Sequence, residues 1–476
     1  MPCANLVNEA DMSFMVPMGI GSTGQQLQFI PDSGSFSVVL ASTMCSACGV
    51  GGHTLFDYDA SSTYEASGGD GVSLAYGQGS VTCETGTDNV NLAGLTGNQV
   101  LLLMTDQSLD GFEYSAYDGV MGMGKNADSS GDDSDSQPAV LTTLGQDAFG
   151  VCVGQDLGVG QGGRLDLASN IGSLPYPYSS SSQLTTVGDY HWGLRISNVG
   201  INNASGITLM DGNNDYGFHP CDGGNNCAAI IDSGTSMLVG PWLHVEGLLA
   251  LVDQGGGVLT ELMMESSCEA TRSDGSRIID ELPSIVLTLG EERAQFELQP
   301  EMYMGSVGLS GASNLAAWKY LERRQKLPIE KLRQASSSCM PMFQYIEACS
   351  SQLECEMSTP QMTEHNGPLW ILGLPMFRQF AIAFDRSSDP AKISLNTLTV
   401  GSNACASCSG SSEQEKLKSS SEKEGEQSHR LLPPGGQQRK PIDLQKLRRP
   451  SHSGKANETR AKVSQVDGKN VTIVRF

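Results

Sequence analysis

Runs of apolar residues that end in small polar residues recur in the two halves of the chain and predict buried β-strands. The first run is FIPDSGS at residues 29–35, and the second is AIIDSGTS at residues 229–236. Each places an Asp-Ser-Gly turn directly after a strand-like segment. Alternating apolar and polar residues predict further strands at residues 192–196 and 377–385. The pattern therefore predicts a β-rich chain with one repeated strand–turn unit in each half.

The repeated turn carries a candidate chemistry because it places one carboxylate in each half. A single Asp-Ser-Gly is ordinary turn chemistry and by itself indicates only a bend. Two copies, at Asp32 and Asp232, can bring their carboxylates together at a shared cleft. Two close carboxylates do not both ionise easily, so one keeps a proton. Such a pair supplies a general base and a general acid in one site.

Three further motifs follow the first turn along the chain. They are YGQGSV at residues 76–81, YDGVMG at 117–122 and WILG at 370–373. Together with the two Asp-Ser-Gly turns, they resemble the motifs of pepsin-like aspartic proteases of the pepsin and cathepsin D type. The resemblance covers about residues 14–400.

The resemblance implies an all-β fold of two lobes with a peptide cleft between them. The N-terminal lobe, with the first catalytic Asp and the flap, would span residues 4–182. The C-terminal lobe would span residues 183–400 and include a helical insertion near 311–336, where leucines intersperse with lysines and arginines. Residues 401–476 are rich in Ser, Glu, Lys, Gln and Pro, which predicts a disordered basic tail.

The same resemblance implies a role for each residue of the two turns. Asp32 and Asp232 would share one proton and activate a water that attacks the peptide carbonyl. Tyr76 and Gly77 would belong to a flap hairpin that closes over the bound peptide. The apolar-apolar-Gly motifs would brace the two loops from behind. Six neighbours would support the catalytic loops: Ser33, Gly34, Ser35, Ser233, Gly234 and Thr235.

Three positions depart from the family pattern. Pro31 stands before the first Asp, where the family has an apolar residue in a central strand, and proline donates no backbone hydrogen bond. Val39 stands where a tryptophan often hydrogen-bonds the flap tyrosine. Leu374-Pro375 follows the second apolar-apolar-Gly motif, where an acidic residue is common. These departures bear on rate and specificity and remove no catalytic group.

The chain has 13 cysteines, a number that indicates an oxidising compartment. The two CxxC pairs also admit a zinc or thiol-redox site, but they lie some 360 residues apart and no nearby histidine completes a ligand set. The resemblance implies the disulfides Cys45–Cys48, Cys221–Cys227 and Cys268–Cys339. Proximity or elimination predicts three more pairs, Cys83–Cys152, Cys349–Cys355 and Cys405–Cys408, with Cys3 left over.

Charge is unevenly distributed along the 476 residues. The whole chain has a formal charge of −24, but residues 401–476 carry 14 Lys and Arg against 8 Asp and Glu. The tail is therefore +6 and the body −30. An acidic body argues against nucleic-acid binding, and it tolerates low pH because protonated carboxyl groups repel less. We expect no cofactor, no metal and a monomer that acts on polypeptides.

No apolar stretch follows Met1, so we expect no secretory signal peptide in this sequence. The resemblance implies a prosegment, which we also expect to be missing. Since the cysteines favour the secretory pathway, we expect a truncated or processed chain. We expect it to reside in an acidic, lysosome- or vacuole-like compartment or outside the cell. No segment is long and apolar enough to predict a membrane span.

The sequence therefore predicts an endopeptidase that hydrolyses extended polypeptides in acid through two Asp carboxylates. One alternative is a catalytically silent member of the same family that binds a peptide or a protein partner, and Pro31 and Val39 motivate it. A second alternative is a thiol-redox or zinc protein built on the CxxC pairs. Preferential binding of a statine-type transition-state mimic would separate the first two hypotheses, and metal analysis or a thiol count would test the third.

Overall fold

β-strands dominate the computed structural model of the chain, and the helices are short. Several predicted features lie outside the described residues: Gly77, the Cys221–Cys227 and Cys349–Cys355 pairs, and the insertion at 311–336 apart from Ala316. The structure describes residues 1–9, 11–68, 71–76, 79–125, 139–154, 162–178, 183–188, 190–202, 228–253, 257–308, 316, 337–345, 369–399, 403–408, 464–466 and 469–471.

The strands and helices of the described residues have the following bounds. The strands are β1 (Cys3–Glu9), β2 (Ser13–Ile20), β3 (Gln25–Asp32), β4 (Val38–Leu40), β5 (Glu65–Ala66), β6 (Val72–Tyr76), β7 (Gly79–Leu92), β8 (Leu95–Leu109), β9 (Gly119–Gly122), β10 (Ala148–Val153), β11 (Gly163–Ala168), β12 (Gln183–Thr185), β13 (Gly193–Asn202), β14 (Ala228–Ile231), β15 (Leu238–Gly240), β16 (Ser284–Leu289), β17 (Ala294–Leu298), β18 (Met304–Gly308), β19 (Ser337–Pro341), β20 (Phe343–Tyr345), β21 (Leu369–Leu372), β22 (Phe380–Asp385), β23 (Lys392–Thr397), β24 (Ser464–Val466) and β25 (Lys469–Val471). The α-helices are α1 (Val140–Thr143), α2 (Trp242–Val252), α3 (Val258–Met263), α4 (Pro300–Tyr303) and α5 (Leu374–Gln379). Short 3₁₀ helices lie at Tyr58–Ala60, Phe112–Tyr114, Ile171–Ser173, Ile278–Glu281 and Asn403–Cys405. In the part of the chain that the structure describes, no helix has the length and apolar character needed to cross a membrane.

Two sheets contain most of the strands. The larger has fourteen strands in the order β12-β23-β22-β10-β11-β1-β2-β3-β9-β4-β8-β7-β5, with β6 paired to β7. The smaller has seven strands in the order β17-β16-β13-β14-β21-β15-β20. Strand β10, from the first half of the chain, pairs with β22, from the second half, so the larger sheet joins the two halves. The lobe boundary predicted at residue 183 falls at the start of β12, within this shared sheet.

Each half contains the same three-strand unit. In the first, β3 runs parallel to β9, with Asp32 opposite Gly122, and β4 pairs antiparallel with β9. In the second, β14 runs parallel to β21, with Ile231 opposite Leu372, and β15 pairs antiparallel with β21. Five of these strands, β4, β9, β14, β15 and β21, are buried on nearly every residue, as their apolar runs require, whereas β3 alternates buried and partly exposed residues before Pro31. The duplicated sequence therefore folds into a duplicated unit, and the predicted all-β, pepsin-like fold is confirmed.

Pro31 fits into β3 although it has no backbone N–H. The antiparallel pairing of β3 with β2 ends at Phe29 opposite Val16, so Pro31 owes no hydrogen bond to β2. It continues the parallel pairing with β9, opposite Met121. Its carbonyl oxygen accepts a hydrogen bond from Ser233 Oγ at 2.6 Å. The proline therefore leaves the strand geometry intact.

An aromatic cluster joins the two halves at the shared sheet. Phe149 of β10 stacks on Phe384 of β22 with ring centroids 4.5 Å apart, and Trp192 lies 5.2 Å from Phe384. Trp192 is fully buried, and its Nε1–H donates to the carbonyl of Met123 at 2.8 Å. Burial of an aromatic side chain contributes about 3 kcal/mol, and the bonded indole nitrogen avoids the cost of an unsatisfied donor. The two halves are therefore held together by a packed core.

Disulfides fasten the segment after β23 to the first half of the chain. Cys408 bonds to Cys3 of β1, and Cys405 bonds to Cys152 of β10. Residues 403–408, the start of the predicted tail, are thereby held on the body. Two more disulfides occur among the described residues, namely Cys45–Cys48 and Cys268–Cys339.

The expectations for the other described cysteines are wrong. Cys152 pairs with Cys405 and not with Cys83, and Cys405 does not pair with Cys408. Cys3 is not left over, because it bonds to Cys408. Cys83 is a buried free thiol on β7. The prediction paired cysteines that are close in sequence. In the structure, the segment after β23 lies against β1 and β10, which are distant from it in sequence.

Replacing Cys3 and Cys408 together by alanine should lower the free energy of unfolding by about 2–4 kcal/mol. Their bond joins positions 405 residues apart, and a cross-link over a long loop removes much conformational entropy from the unfolded chain. The matched control is Cys45→Ala with Cys48→Ala, because that bond spans only 3 positions. Urea unfolding without reductant measures both losses, and equal losses would contradict the loop argument.

Candidate active site

The two Asp-Ser-Gly turns meet, and their serines hydrogen-bond across the boundary between the halves. The N–H of Ser33 donates to Ser233 Oγ at 3.0 Å, and the N–H of Ser233 donates to Ser33 Oγ at 2.9 Å. Ser33 Oγ also donates to the carbonyl of Ile231 at 2.8 Å, and Ser233 Oγ donates to that of Pro31 at 2.6 Å. These four bonds, called the serine bridge below, are buried and nearly symmetric. They fix the position of one turn relative to the other.

Each Asp carboxyl group is held by its own turn. The N–H of Gly34 donates to Asp32 Oδ1 at 2.9 Å, and the Ser35 hydroxyl donates to Asp32 Oδ2. The same arrangement recurs in the second turn, where the N–H of Gly234 donates to Asp232 Oδ1 at 2.8 Å. Thr235 Oγ1 donates to Asp232 Oδ2 at 2.6 Å. Hydrogen bonds from both sides therefore fix the orientation of each carboxyl group.

Glycine at the third position of each turn allows the two carboxyl groups to approach. A Cβ on Gly34 would lie 2.6 Å from Cγ of Asp232. A Cβ on Gly234 would lie 2.3 Å from Oδ1 of Asp32. No real Cβ packs so closely against a carboxylate, so only glycine fits at these two positions. The predicted pair, Asp32 and Asp232, is therefore brought together across the boundary.

Burial and mutual repulsion favour one shared proton on this pair. Burial is the main reason that the pKa of Asp32 lies well above its usual value of 3.8. The charge of Asp232 and a hydrogen bond between the two carboxyl groups raise it further, while bonds from Ser35 and Gly34 partly oppose the shift. In a coupled pair of this kind, Asp32 keeps a proton where an ordinary carboxyl group would be ionised.

The apolar-apolar-Gly motifs pack behind the two turns. A Cβ on Gly122 would lie 2.4 Å from the carbonyl carbon of Phe36, and one on Gly373 would lie 2.1 Å from the carbonyl oxygen of Thr235. Both glycines therefore permit close approach of two backbones. The N–H of Asp232 donates to the carbonyl of Leu372 at 3.1 Å, which ties the second turn to its brace.

Leu374-Pro375 begins α5 directly after the second brace. Proline is favourable in the first turn of a helix, where its missing N–H has no partner to lose. The N–H of Leu374 donates to the carbonyl of Thr235 at 2.8 Å. The departure from the family pattern at these positions therefore preserves the support of the second turn.

The predicted flap is a hairpin of β6 and β7 with Tyr76 at the end of β6, opposite Gly79. Burial raises the pKa of Tyr76 well above 10.0, and Cys83, Asp32 and Tyr117 add to the shift. The charge of Asp32 therefore acts on the phenol group of Tyr76.

Val39 stands behind the flap where the family often has a tryptophan. It is fully buried in an apolar cluster against which Tyr76 and Tyr117 pack. Its strand neighbours are Val120 of β9 and Leu102 of β8. Tyr76 of the flap therefore packs against apolar side chains at this position.

Two basic residues near the turns were missed in the sequence. Lys125 is buried, and its ammonium group donates to the carbonyl of Gly188 and to Thr186 Oγ1, the latter at 3.4 Å. His191 lies against Phe36, with ring centroids 4.8 Å apart. The chain has 7 histidines, and His191 stands directly before the predicted strand at 192–196. This position is the one sequence feature that could have drawn attention to His191.

Metal ligation is not supported by the described part of the chain. Among those residues, no group of three or more His, Cys, Asp or Glu side chains could hold a metal ion. The sulfur atoms of both CxxC pairs are consumed in disulfides. These thiols are therefore not available as zinc ligands or as a dithiol in the structure.

Comparison with known proteins agrees with this geometry. The family model described as "Eukaryotic aspartyl protease" matches residues 13–312, more than half of the chain. The chain is similar to pepsin A of Sus scrofa, with 27% identity over 390 residues and 81% of each chain covered. It is also similar to pepsin A of Bos taurus, with 25% identity over 81% of this chain and 84% of the relative. Pepsin II-2/3 of Oryctolagus cuniculus is 26% identical, with 81% of each chain covered.

Proposed function

Because the chain belongs to the eukaryotic aspartyl protease family, we propose that it is an aspartic endopeptidase with Asp32 and Asp232 as its catalytic pair. The observation that carries the proposal is the approach of the two Asp-Ser-Gly turns. Each turn presents one carboxyl group to the other, with glycine as the only residue that fits between them. The serine bridge holds this arrangement through bonds within the protein itself. A preformed pair avoids reorganisation when charge develops in the reaction.

In the proposed reaction, Asp232 is the general base and Asp32 the general acid. Asp232 takes a proton from a water molecule while the water oxygen bonds to the peptide carbonyl carbon. Asp32 gives its proton to the carbonyl oxygen, and a neutral gem-diol forms. The gem-diol then returns a proton to Asp32, the C–N bond breaks, and the proton on Asp232 passes to the leaving nitrogen. The pair ends with one proton, as it began.

The substrate of this reaction is proposed to be an extended polypeptide that lies under the flap. Tyr76 ends β6 of this hairpin, and the charge of Asp32 acts on its phenol group, so we expect a chain bound at the pair to contact the hairpin. Closure of such a hairpin excludes water and positions the scissile bond. An extended peptide would then bind as a strand does, through backbone hydrogen bonds.

The silent scaffold is not favoured. Pro31 takes part in the serine bridge through its carbonyl oxygen and leaves β3 paired. Val39 gives Tyr76 apolar support. Each departure that motivated a silent scaffold is therefore compatible with an intact pair.

The disulfides and the family support a secretory route for the protein. We propose an acidic compartment along that route, or the cell exterior, as the site of action, because the pair needs one proton to work. Family membership also supports polypeptide substrates, and we propose that the protein acts as a monomer.

Cleavage of denatured haemoglobin should be strongest in acid and should fall as the pH rises through the raised pKa of Asp32. Loss of that proton removes the general acid, and gain of a second proton at lower pH removes the general base. Initial rates from about pH 2.5 to about pH 7.5, with and without pepstatin, measure this profile. Cleavage that is insensitive to pepstatin, or that rises steadily towards neutral pH, would contradict the proposed pair.

A further inference from the structure

Residues 123–125, which follow β9 and are called the bracing segment below, bond to the first turn on one side. The N–H of Met123 donates to the carbonyl of Asp32 at 2.7 Å, and the N–H of Gly124 donates to that of Ser35 at 2.8 Å. Ser35 is also the residue whose hydroxyl donates to Asp32 Oδ2. The position of the first turn, and of the group that orients its carboxyl, therefore depends on the bracing segment.

The bracing segment bonds to the second half of the chain on its other side. The N–H of Lys125 donates to the carbonyl of Tyr190 at 3.1 Å. The indole N–H of Trp192 donates to the carbonyl of Met123 at 2.8 Å. Tyr190 and Trp192 both stand between β12 and β13. The bracing segment therefore joins the first turn to the stretch of the second half that leads into β13.

The ammonium group of Lys125 adds a charged contact to this junction. The residue is only 6% exposed, and its Nζ donates to the carbonyl of Gly188 and, at 3.4 Å, to Thr186 Oγ1. Lysine is rarely buried, because removing its charge from water costs free energy that only well-placed partners offset. An apolar side chain would fill this position without that cost. The buried charge therefore acts by fixing the direction and distance of its acceptors.

The acceptors of this ammonium group are themselves held in place. The N–H of Thr186 donates to the carbonyl of Ala391, directly before β23, at 3.0 Å. The N–H of Val187 donates to the carbonyl of Gly193, at the start of β13, at 2.8 Å. Lys125 is therefore anchored to a part of the second half that is fixed to the shared sheet and to β13.

We propose that Lys125 is a positioning residue of the catalytic pair. Its ammonium group fixes the bracing segment on the second half, and the bracing segment fixes the Ser35 end of the first turn. The serine bridge fixes the other end at Ser33, so the two contacts together determine the orientation of the Asp32 carboxyl group. The inference rests on the proposed function only where it concerns rates. The support of the first turn is a property of the fold.

Loss of the ammonium group should lower kcat and leave KM almost unchanged. A small rotation of the Asp32 carboxyl matters most in the transition state, when a proton must pass to the peptide carbonyl. Binding of the extended peptide is proposed to depend on the β6–β7 hairpin, which is a separate part of the fold. A contact that acts only through the pair therefore changes the rate and not the binding.

Lys125→Met tests this separation, because methionine keeps the apolar stem of the side chain and removes its ammonium group. It should lower kcat by about 10-fold and leave KM within about twofold of the wild type. The substrate is a synthetic peptide that spans one haemoglobin cleavage site, and each rate is expressed per folded molecule. An unchanged kcat, or a change in KM as large as the change in kcat, would overturn the inference.

Thr186→Val approaches the same contact from its other side. It removes one acceptor and leaves the ammonium group of Lys125 in place with its bond to Gly188. Its kcat should fall by about threefold, again without a change in KM. If Lys125→Met does not fold, Thr186→Val decides the question, and an unchanged kcat overturns the inference.

Lys392→Met is the matched control for loss of a lysine. Lys392 of β23 donates to Thr185 Oγ1 at 2.8 Å, so it makes the same type of bond to the residue next to Thr186. It lies opposite Thr185 in the pairing of β12 with β23 and not in the bracing segment. Its kcat should equal that of the wild type. A loss equal to that of Lys125→Met would overturn the specific role of Lys125.

Amide hydrogen exchange tests the support of the turn without any activity. In Lys125→Met, the amides of Met123 and Gly124 should exchange about 10-fold faster than in the wild type, because their bonds to Asp32 and Ser35 open more often. Lys392→Met should leave both rates unchanged. Unchanged exchange in Lys125→Met would overturn the inference. If the wild type cleaves no peptide but these amides respond to Lys125→Met, the proposed function fails and the support of the turn stands.

Discussion

Replacing Asp32 with asparagine should abolish peptide cleavage, lowering kcat/KM by about 10⁴-fold or more. Asparagine has the size of aspartate, and its oxygen can still accept the hydrogen bond from Gly34. It has no ionisable proton to share with Asp232, so it cannot protonate the peptide carbonyl. Initial rates on denatured haemoglobin at the acidic optimum of the wild type measure the loss.

The same substitution should leave the protein at least as stable at neutral pH. The pKa of Asp32 is raised in the folded state, chiefly by burial, so the folded protein binds this proton more tightly than the unfolded chain does. Ionisation of Asp32 therefore opposes folding as the pH rises from 3.8 through the raised pKa. The Asp32→Asn variant would carry no such charge, so its advantage should appear in that window and vanish in stronger acid. Thermal unfolding of both proteins at acidic and neutral pH measures the difference.

Asp166→Asn is the matched control for this prediction. Asp166 is also buried and its pKa is raised by burial, but it belongs to β11 and pairs with Arg164 at 2.9 Å. Its replacement should leave cleavage close to the wild-type rate. Retained activity in Asp32→Asn, or equal losses in the two variants, would mean that the duplicated turn is not the active site.

The fold class and the meeting of the two turns were predictable because each rests on consecutive residues. An apolar strand, an Asp-Ser-Gly turn and an apolar-apolar-Gly brace each require only a short segment, and the chain contains the set twice. The structure brings Asp32 and Asp232 together as that repetition predicts. Their catalytic roles stay a prediction until the variants are measured.

Features that depend on the return of distant segments were not predictable. The partner of Cys3 is set by the segment after β23, which lies against β1 and β10, and nothing near Cys3 or Cys408 in the sequence indicates it. The position of His191 has no local pattern in the sequence, because its ring packs against Phe36, which lies in the other half. For Pro31, a local rule gave the wrong expectation. Proline is rare in central strands, but the pairing of β3 with β2 ends at Phe29, so no hydrogen bond is lost at Pro31.

Replacing Gly34 with alanine should lower kcat/KM by about 100-fold and destabilise the fold by about 1–3 kcal/mol. The new Cβ would lie 2.6 Å from Cγ of Asp232 and 2.7 Å from its Oδ1, so either the turn or the carboxyl group must move. A movement of about 1 Å at the pair suffices for such a loss of rate. Haemoglobin cleavage and urea unfolding measure the two effects.

Gly49→Ala separates the close approach at Gly34 from the general effect of adding a methyl group. A Cβ on Gly49 would make one ordinary contact, 3.6 Å from Cδ1 of Leu55. This variant should cleave at the wild-type rate and retain its stability. Weaker pepstatin binding in Gly34→Ala, with binding unchanged in Gly49→Ala, would place the damage at the pair. If Gly34→Ala cleaves as fast as Gly49→Ala, the two carboxyl groups do not meet as closely as the turns require, and the argument for a shared proton fails.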